Sequence, residues 1–88
     1  MLFSLGQIVV TRNCLNYAQE HDINLSELVI RHANGDDGDL CKADQALNDL
    51  AIQSEGRVFS SYTINAVKFY VITEWDRSYT TVMLAEDY

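Results

Sequence analysis

Residues 31–44, RHANGDDGDLCKAD, crowd a histidine, two glycines, four aspartates and a cysteine into fourteen positions. Carboxylates beside a histidine are the donor set of metal sites and of acid–base catalysis, so each such chemistry sets a spacing to test. A calcium loop needs oxygen ligands at positions 1, 3, 5 and 12 with glycine at 6. Starting at Asn34 puts Gly38 at position 5, and starting at Asp36 puts Gly38 at position 3; neither frame works. Zinc would draw on His32 with His21, Cys41 or an aspartate, and no standard ligand spacing connects them. A magnesium-dependent nuclease or other metal-assisted hydrolase using Asp36 and Asp39, with His32 as base, suits the residue types. A net charge of −7 discourages a nucleic-acid substrate for it. No P-loop, GxGxxG or nucleophile elbow is present. The reading adopted has no catalytic residue, no bound metal and no cofactor, and the metal-assisted hydrolase stands as its alternative.

The same stretch also has a structural reading. Gly35 suits the left-handed turn after a helix, Asp36 and Asp37 bend the chain, and Asp39 or Cys41 caps the next helix, with Asp44 at N3 if Cys41 is the cap. Arg31, His32, Asp36 and Asp39 are then expected to form a clasp, with His32 or Arg31 bonded to Asp36 or Asp39. Opposite charges would lower the carboxylate pKa and raise that of the histidine. A second cluster, EWDRS at 74–78, offers Glu74, Trp75, Asp76 and Arg77 at a hairpin tip. Its bland reading is a solvated turn in which Asp76 or Ser78 bonds its own backbone and Arg77 pairs with an acid. Its functional reading is a recognition tip, since Trp and Arg are common binding anchors.

The elements that position these clusters follow from periodicity. LGQIVVT (5–11) reads as a strand. RNCLNYAQEHD follows at helical spacing through Cys14, Leu15, Tyr17, Ala18 and His21, capped by Asn13 or Thr11. Asn24 starts a second helix with Glu27 at N3, and Ile23 and Leu28 hold the hydrophobic-staple positions. A third helix places Ala43, Ala46, Leu47, Leu50 and Ala51 on one face, with Asp44, Gln45, Asn48, Asp49 and Gln53 outward. Beyond Gly56 the period changes to two: RVFSSYTI, VKFYVIT and YTTVMLA are strands joined by short turns at Asn65-Ala66 and EWDRS. Val67, Phe69 and Val71 form the core face of the middle strand, and Tyr70 and Ile72 suggest partial cover on the other. The expectation is one α+β domain over residues 1–88, a small antiparallel sheet in the order β-α-α-α-β-β-β with helices packed on one face.

Composition narrows the function classes. Thirteen acids against six bases, the bases scattered, argue against direct binding of nucleic acid or an anionic membrane and for a basic protein partner. No apolar run reaches the length of a membrane span. The opening MLFSLGQIVV lacks a basic n-region and a cleavage site, so it reads as mature structure. A cytoplasmic location follows as the expectation, with Cys14 and Cys41 as unpaired thiols acting as small apolar residues in or near the core.

LGQIVVT, RHANGDDGDL and VITEWDRSYTTVMLAEDY together resemble a family of small acidic proteins carried by plasmids, integrative elements and prophages. The family patterns are RHxxGDWGDL and ITExDRSxTTxLLPEEY. The chain matches the first at Arg31, His32, Gly35, Asp36, Gly38, Asp39 and Leu40. It matches the second at Ile72, Thr73, Glu74, Asp76, Arg77, Ser78, Thr80 and Thr81. It departs at Asp37, where the family has Trp, at Ala85, where it has Pro, and at the strand joint, which lacks the family's Asp-Gly turn. Some relatives carry the label of a type I restriction modification subunit. A methyltransferase of that kind needs an Asn/Asp-Pro-Pro-aromatic loop to hold a flipped adenine, and this chain contains no proline. The resemblance implies residence on mobile DNA. The expected function is that of a non-enzymatic protein-interaction module, one version being a DNA mimic that binds a basic DNA-binding protein. The interaction candidates are Asp36, Asp37, Asp39, Glu74, Trp75, Asp76 and Arg77, and a structural homodimer through an unpaired sheet edge is a further alternative.

Overall fold

The computed structural model describes residues 2–88, so of the opening stretch only Met1 lies outside it. The elements are β1 (Gln7–Val10), α1 (Arg12–Glu20), α2 (Leu25–Ala33), α3 (Lys42–Gln53), β2 (Val58–Ile64), β3 (Val67–Thr73), β4 (Tyr79–Leu84) and a final 3-10 turn (Ala85–Asp87). This is the α+β order expected from the sequence. The sheet runs β1-β4-β3-β2. β2, β3 and β4 form the antiparallel meander, while β1 pairs parallel to β4, so the sheet is mixed. The three helices between β1 and β2 supply the length a parallel crossover requires.

Local chemistry sets the helix ends. Thr11 Oγ1 accepts from the Cys14 amide at 3.4 Å, and Asn24 Oδ1 accepts from the Ser26 amide at 3.1 Å. At the end of α2, the Gly35 amide donates to His32 O at 3.1 Å and the Asp36 amide to Arg31 O at 2.9 Å. Those two bonds, with Gly35 at φ +84°, make a Schellman stop. The β2–β3 turn has φ of 53° at Asn65 and 65° at Ala66, the left-handed pair of a type I′ hairpin.

The core lies on the face of the meander that carries Tyr62, Phe69, Val71, Val82 and Leu84, against Cys14 of α1 and Leu28 of α2. Alternation along β3 had pointed to that face. On the opposite face Phe59, Tyr70 and Tyr88 cluster with ring centroids 4.7 to 6.0 Å apart.

The third helix departs from expectation in position and in roll. Instead of lying over the sheet face it runs beside the β2 edge, and it buries Asn48 and Ala51. Leu47 and Leu50, expected in the core, are 63% and 61% exposed. Hydrogen bonding explains the reversal. In the β2–β3 register, the main chains of Phe59, Ser61 and Thr63 point away from β3. The Asn48 amide pairs with Phe59 like one residue of strand: the Phe59 N–H donates to Asn48 Oδ1 at 3.0 Å, and Asn48 Nδ2 donates to Phe59 O. An orphaned buried amide costs about 1–3 kcal/mol, comparable with the gain from sheltering a leucine, about 1.5–3 kcal/mol. One asparagine satisfies both main-chain groups of Phe59 and brings Ala51 against Val58 and Phe3. The roll that meets the edge leaves the leucines in water.

Candidate functional site

The 36–39 loop continues the same edge. The Ser61 N–H donates to Asp37 O at 3.2 Å and the Asp39 N–H to Ser61 O at 2.7 Å. Gly38 sits between them with φ +70°, and a Cβ there would lie 2.0 Å from Ser61 O, so only glycine permits the approach. The acidic loop is thus a short strand-like seal on β2.

Its side chains are engaged as well. Asp36 Oδ2 accepts from Arg31 Nε at 2.7 Å and its Oδ1 accepts from the Gly38 amide at 3.0 Å. The Arg31 guanidinium beside it holds the Asp36 carboxyl below the usual carboxylate range. Arg31 also stacks over the Tyr62 ring at 4.4 Å, and the Tyr62 hydroxyl donates to Asp36 O. Asp37 Oδ1 accepts from Asn48 Nδ2 at 3.1 Å, and burial raises its carboxyl pKa. Asp39 accepts from the Thr63 hydroxyl.

The clasp therefore forms through Arg31 and Asp36, and His32 is not part of it. His32 points into the molecule and is 1% exposed. Its Nδ1 lies 2.7 Å from Ser60 Oγ and its Nε2 2.8 Å from Thr73 Oγ1. Thr73 Oγ1 is 2.7 Å from Thr80 Oγ1, which donates to Leu5 O at 2.7 Å. The direction of this chain follows from its end. A carbonyl only accepts, so the single Thr80 proton goes to Leu5, Thr73 must donate to Thr80, and His32 must donate from Nε2 to Thr73. Burial favours the neutral ring, which leaves Nδ1 as an acceptor for Ser60. His32 is thus a neutral Nε2–H tautomer joining α2 to β2, β3, β4 and the segment before β1. Phe3 closes the pocket edge-on at 5.2 Å. Burial without a carboxylate neighbour pushes its pKa down to about 4, the opposite of the direction the clasp reading required.

His32, Asp36 and Asp39, which a hydrolase would have to bring together, are each bonded to different partners. Among the described residues no group of three His, Cys, Asp or Glu stands close enough to hold a metal. Cys14 is fully buried, and burial raises its thiol to about 11. Cys41, expected in or near the core, is exposed at the N-cap position of α3, where its side chain makes no capping bond. No described helix is long and apolar enough to cross a membrane.

The 74–78 tip is braced from within. Asp76 Oδ1 accepts from the Ser78 amide at 3.0 Å and its hydroxyl at 2.6 Å. Arg77, expected to pair with an acid, instead donates to carbonyls. Nη2 reaches Ala51 O at 2.7 Å, and Nη1 serves Gly56 O, Glu74 O and Trp75 O. Those acceptors include the last turn of α3, where a cation is favoured. Glu74 pairs with Arg57 at 3.6 Å. Trp75 joins this network only through its carbonyl; its indole takes no part, and the residue is 59% exposed.

Sequence reasoning gave Ser60, Thr73 and Thr80 no role and set Asn48, which is 4% exposed, on the outward face of its helix. A signal existed for the first three: they alternate with Tyr62, Val71 and Val82 on the face that becomes the core. A polar group on a core face requires a partner, and His32 lies one turn beyond Leu28 on the matching face of α2. The chain matches no family model, no curated protein and no solved structure. Fold and site define it as a small acidic α+β protein with a buried neutral histidine and two braced polar loops.

Proposed function

We propose that this protein acts by binding another protein, as a small acidic accessory factor of a mobile genetic element working in the cytoplasm. The observation that carries the reading is Trp75. An indole 59% exposed on a turn held by four Arg77 bonds and an Asp76–Ser78 turn is an anchor whose backbone is already ordered. The charge of −7 supports a basic partner, such as a DNA-binding protein met through DNA-like carboxylates. The resemblance in the 31–40 and 72–81 motifs supports the mobile-element setting.

The test is affinity capture from host cytoplasm, followed by titration of the purified partner at two salt concentrations. The reading expects an association that weakens with salt and is lost in Trp75→Ala. Capture of nothing beyond a charge-matched control protein would refute it. A second reading, self-association, is favoured by the β1 edge, where Ile8 and Val9 are 44% and 41% exposed and no charged residue guards the strand. Sedimentation at several concentrations decides it.

A further inference from the structure

The roll of α3 leaves a feature that neither the core nor the Trp75 tip uses. At 100° per residue, Ala43, Ala46, Leu47 and Leu50 fall in one stripe on the solvent side, with Asp44 on one flank and Asp49 on the other. All six are exposed. Beside Leu47 the stripe opens into a groove of about 260 Å³, whose walls include Leu40, Leu47 and Phe59. The helix cannot turn these leucines inward without breaking the Asn48 bonds to Phe59 and Asp37.

The geometry points to a docking site for a basic amphipathic helix of a partner protein, seated along the α3 stripe with one apolar side chain in the groove beside Leu47 and Lys or Arg against Asp44 and Asp49. This rests on the reading of the protein as an interaction module and names the partner's chemistry. Spacing of the stripe at i, i+3, i+4 and i+7 is that of a helix-to-helix seam. Charge selects the occupant. Residues 37–55 carry Asp37, Asp39, Asp44, Asp49 and Glu55 against Lys42 alone. Arg57, on the groove wall, is already paired with Glu74. A second copy would bring the same acidic flanks and another −7, whereas a basic helix meets both the leucines and the carboxylates.

The probe is a synthetic helical peptide of about 18 residues with leucines at heptad a and d positions and lysines on both flanks, and a twin carrying glutamates in place of lysines. Each is titrated into the whole protein by fluorescence anisotropy. The lysine peptide is expected to bind at least ~10-fold more tightly than the twin, and Leu47→Gln/Leu50→Gln to weaken it at least ~10-fold with melting temperature and net charge unchanged. Asp44→Asn/Asp49→Asn should flatten the salt dependence. Equal binding to wild type and Leu47→Gln/Leu50→Gln would overturn the proposal, because net charge alone would then hold the peptide. Failure of both peptides alongside a dimer that the leucine substitutions abolish would overturn it in favour of a second copy. Neither result touches the function proposed above, which fails only if Trp75→Ala leaves capture unchanged or nothing is captured.

Discussion

Lowering the pH tests the assignment of His32 as a buried neutral relay. Folding shifts this imidazole from an ordinary 6.5 to about 4, so the folded state binds fewer protons than the unfolded chain. Its stabilising contribution is therefore complete above the unfolded value and is lost as pH falls from 6.5 towards about 4. At about 1.4 kcal/mol per pKa unit the whole window carries about 3 kcal/mol, and between about pH 7 and about pH 5 the loss is about 2 kcal/mol. In a domain of this size that lowers the midpoint of thermal unfolding by about 8–16 °C. Asp36, Asp76 and Asp87, all shifted downward by hydrogen bonds, respond only at lower pH. Asp37, shifted upward by burial, works in the opposite sense. Comparison with His32→Gln cancels these contributions, because glutamine does not titrate. Urea unfolding of both proteins at about pH 7, about pH 6 and about pH 5 should show the wild type losing about 2 kcal/mol more than the variant. Parallel pH profiles would mean that His32 is solvated, and a wild type that gains on the variant as pH falls would mean that it is paired with an acid; either result would make the relay wrong.

The remaining expectations concern single positions. Arg31→Ala should cost no more than ~1 kcal/mol by denaturant unfolding, because its ion pair with Asp36 is 43% and 47% exposed and screened by water. Asn48→Ala should cost about 2–4 kcal/mol, since it strands both outward groups of Phe59 and removes a donor to Asp37; a loss below that of Arg31→Ala would contradict the edge-sealing role. Ala66→Gly should raise stability by about 1 kcal/mol, because φ of 65° disfavours an L side chain and suits glycine; calorimetry checks the sign. A disulfide reagent at mildly alkaline pH should modify Cys41 rapidly and Cys14 only after denaturant is added, the buried thiol being held near 11.

Sequence alone reached as far as local chemistry reaches. The Thr11 and Asn24 caps, Gly35 after α2, the change from a period of 3.6 to 2, and the Asn65-Ala66 turn are interactions within about four residues, and all of them stand in the fold. A clasp at this joint was legible for a similar reason, Arg31 and Asp36 being five apart, but which of Arg31 and His32 would bond which of Asp36 and Asp39 was not. What tertiary structure decided lies where distant main-chain groups must be satisfied. Periodicity assigned Leu47 and Leu50 to the core because it weighs only apolar area. It cannot know that the strand beside the helix will be an edge whose Phe59 amide needs Asn48, eleven positions away. Nor does the sequence state that β1 returns parallel beside β4, although that pairing brings Leu5 O to Thr80. His32 shows both limits together: its type and its place near a helix end suggested a charged partner. Its burial beneath Phe3, between hydroxyls 28 and 41 residues distant, made it neutral instead. Local propensity places a side chain on its element; only the assembled sheet determines what it faces, because only there do the main-chain groups of a strand edge compete with the apolar stripe of a helix.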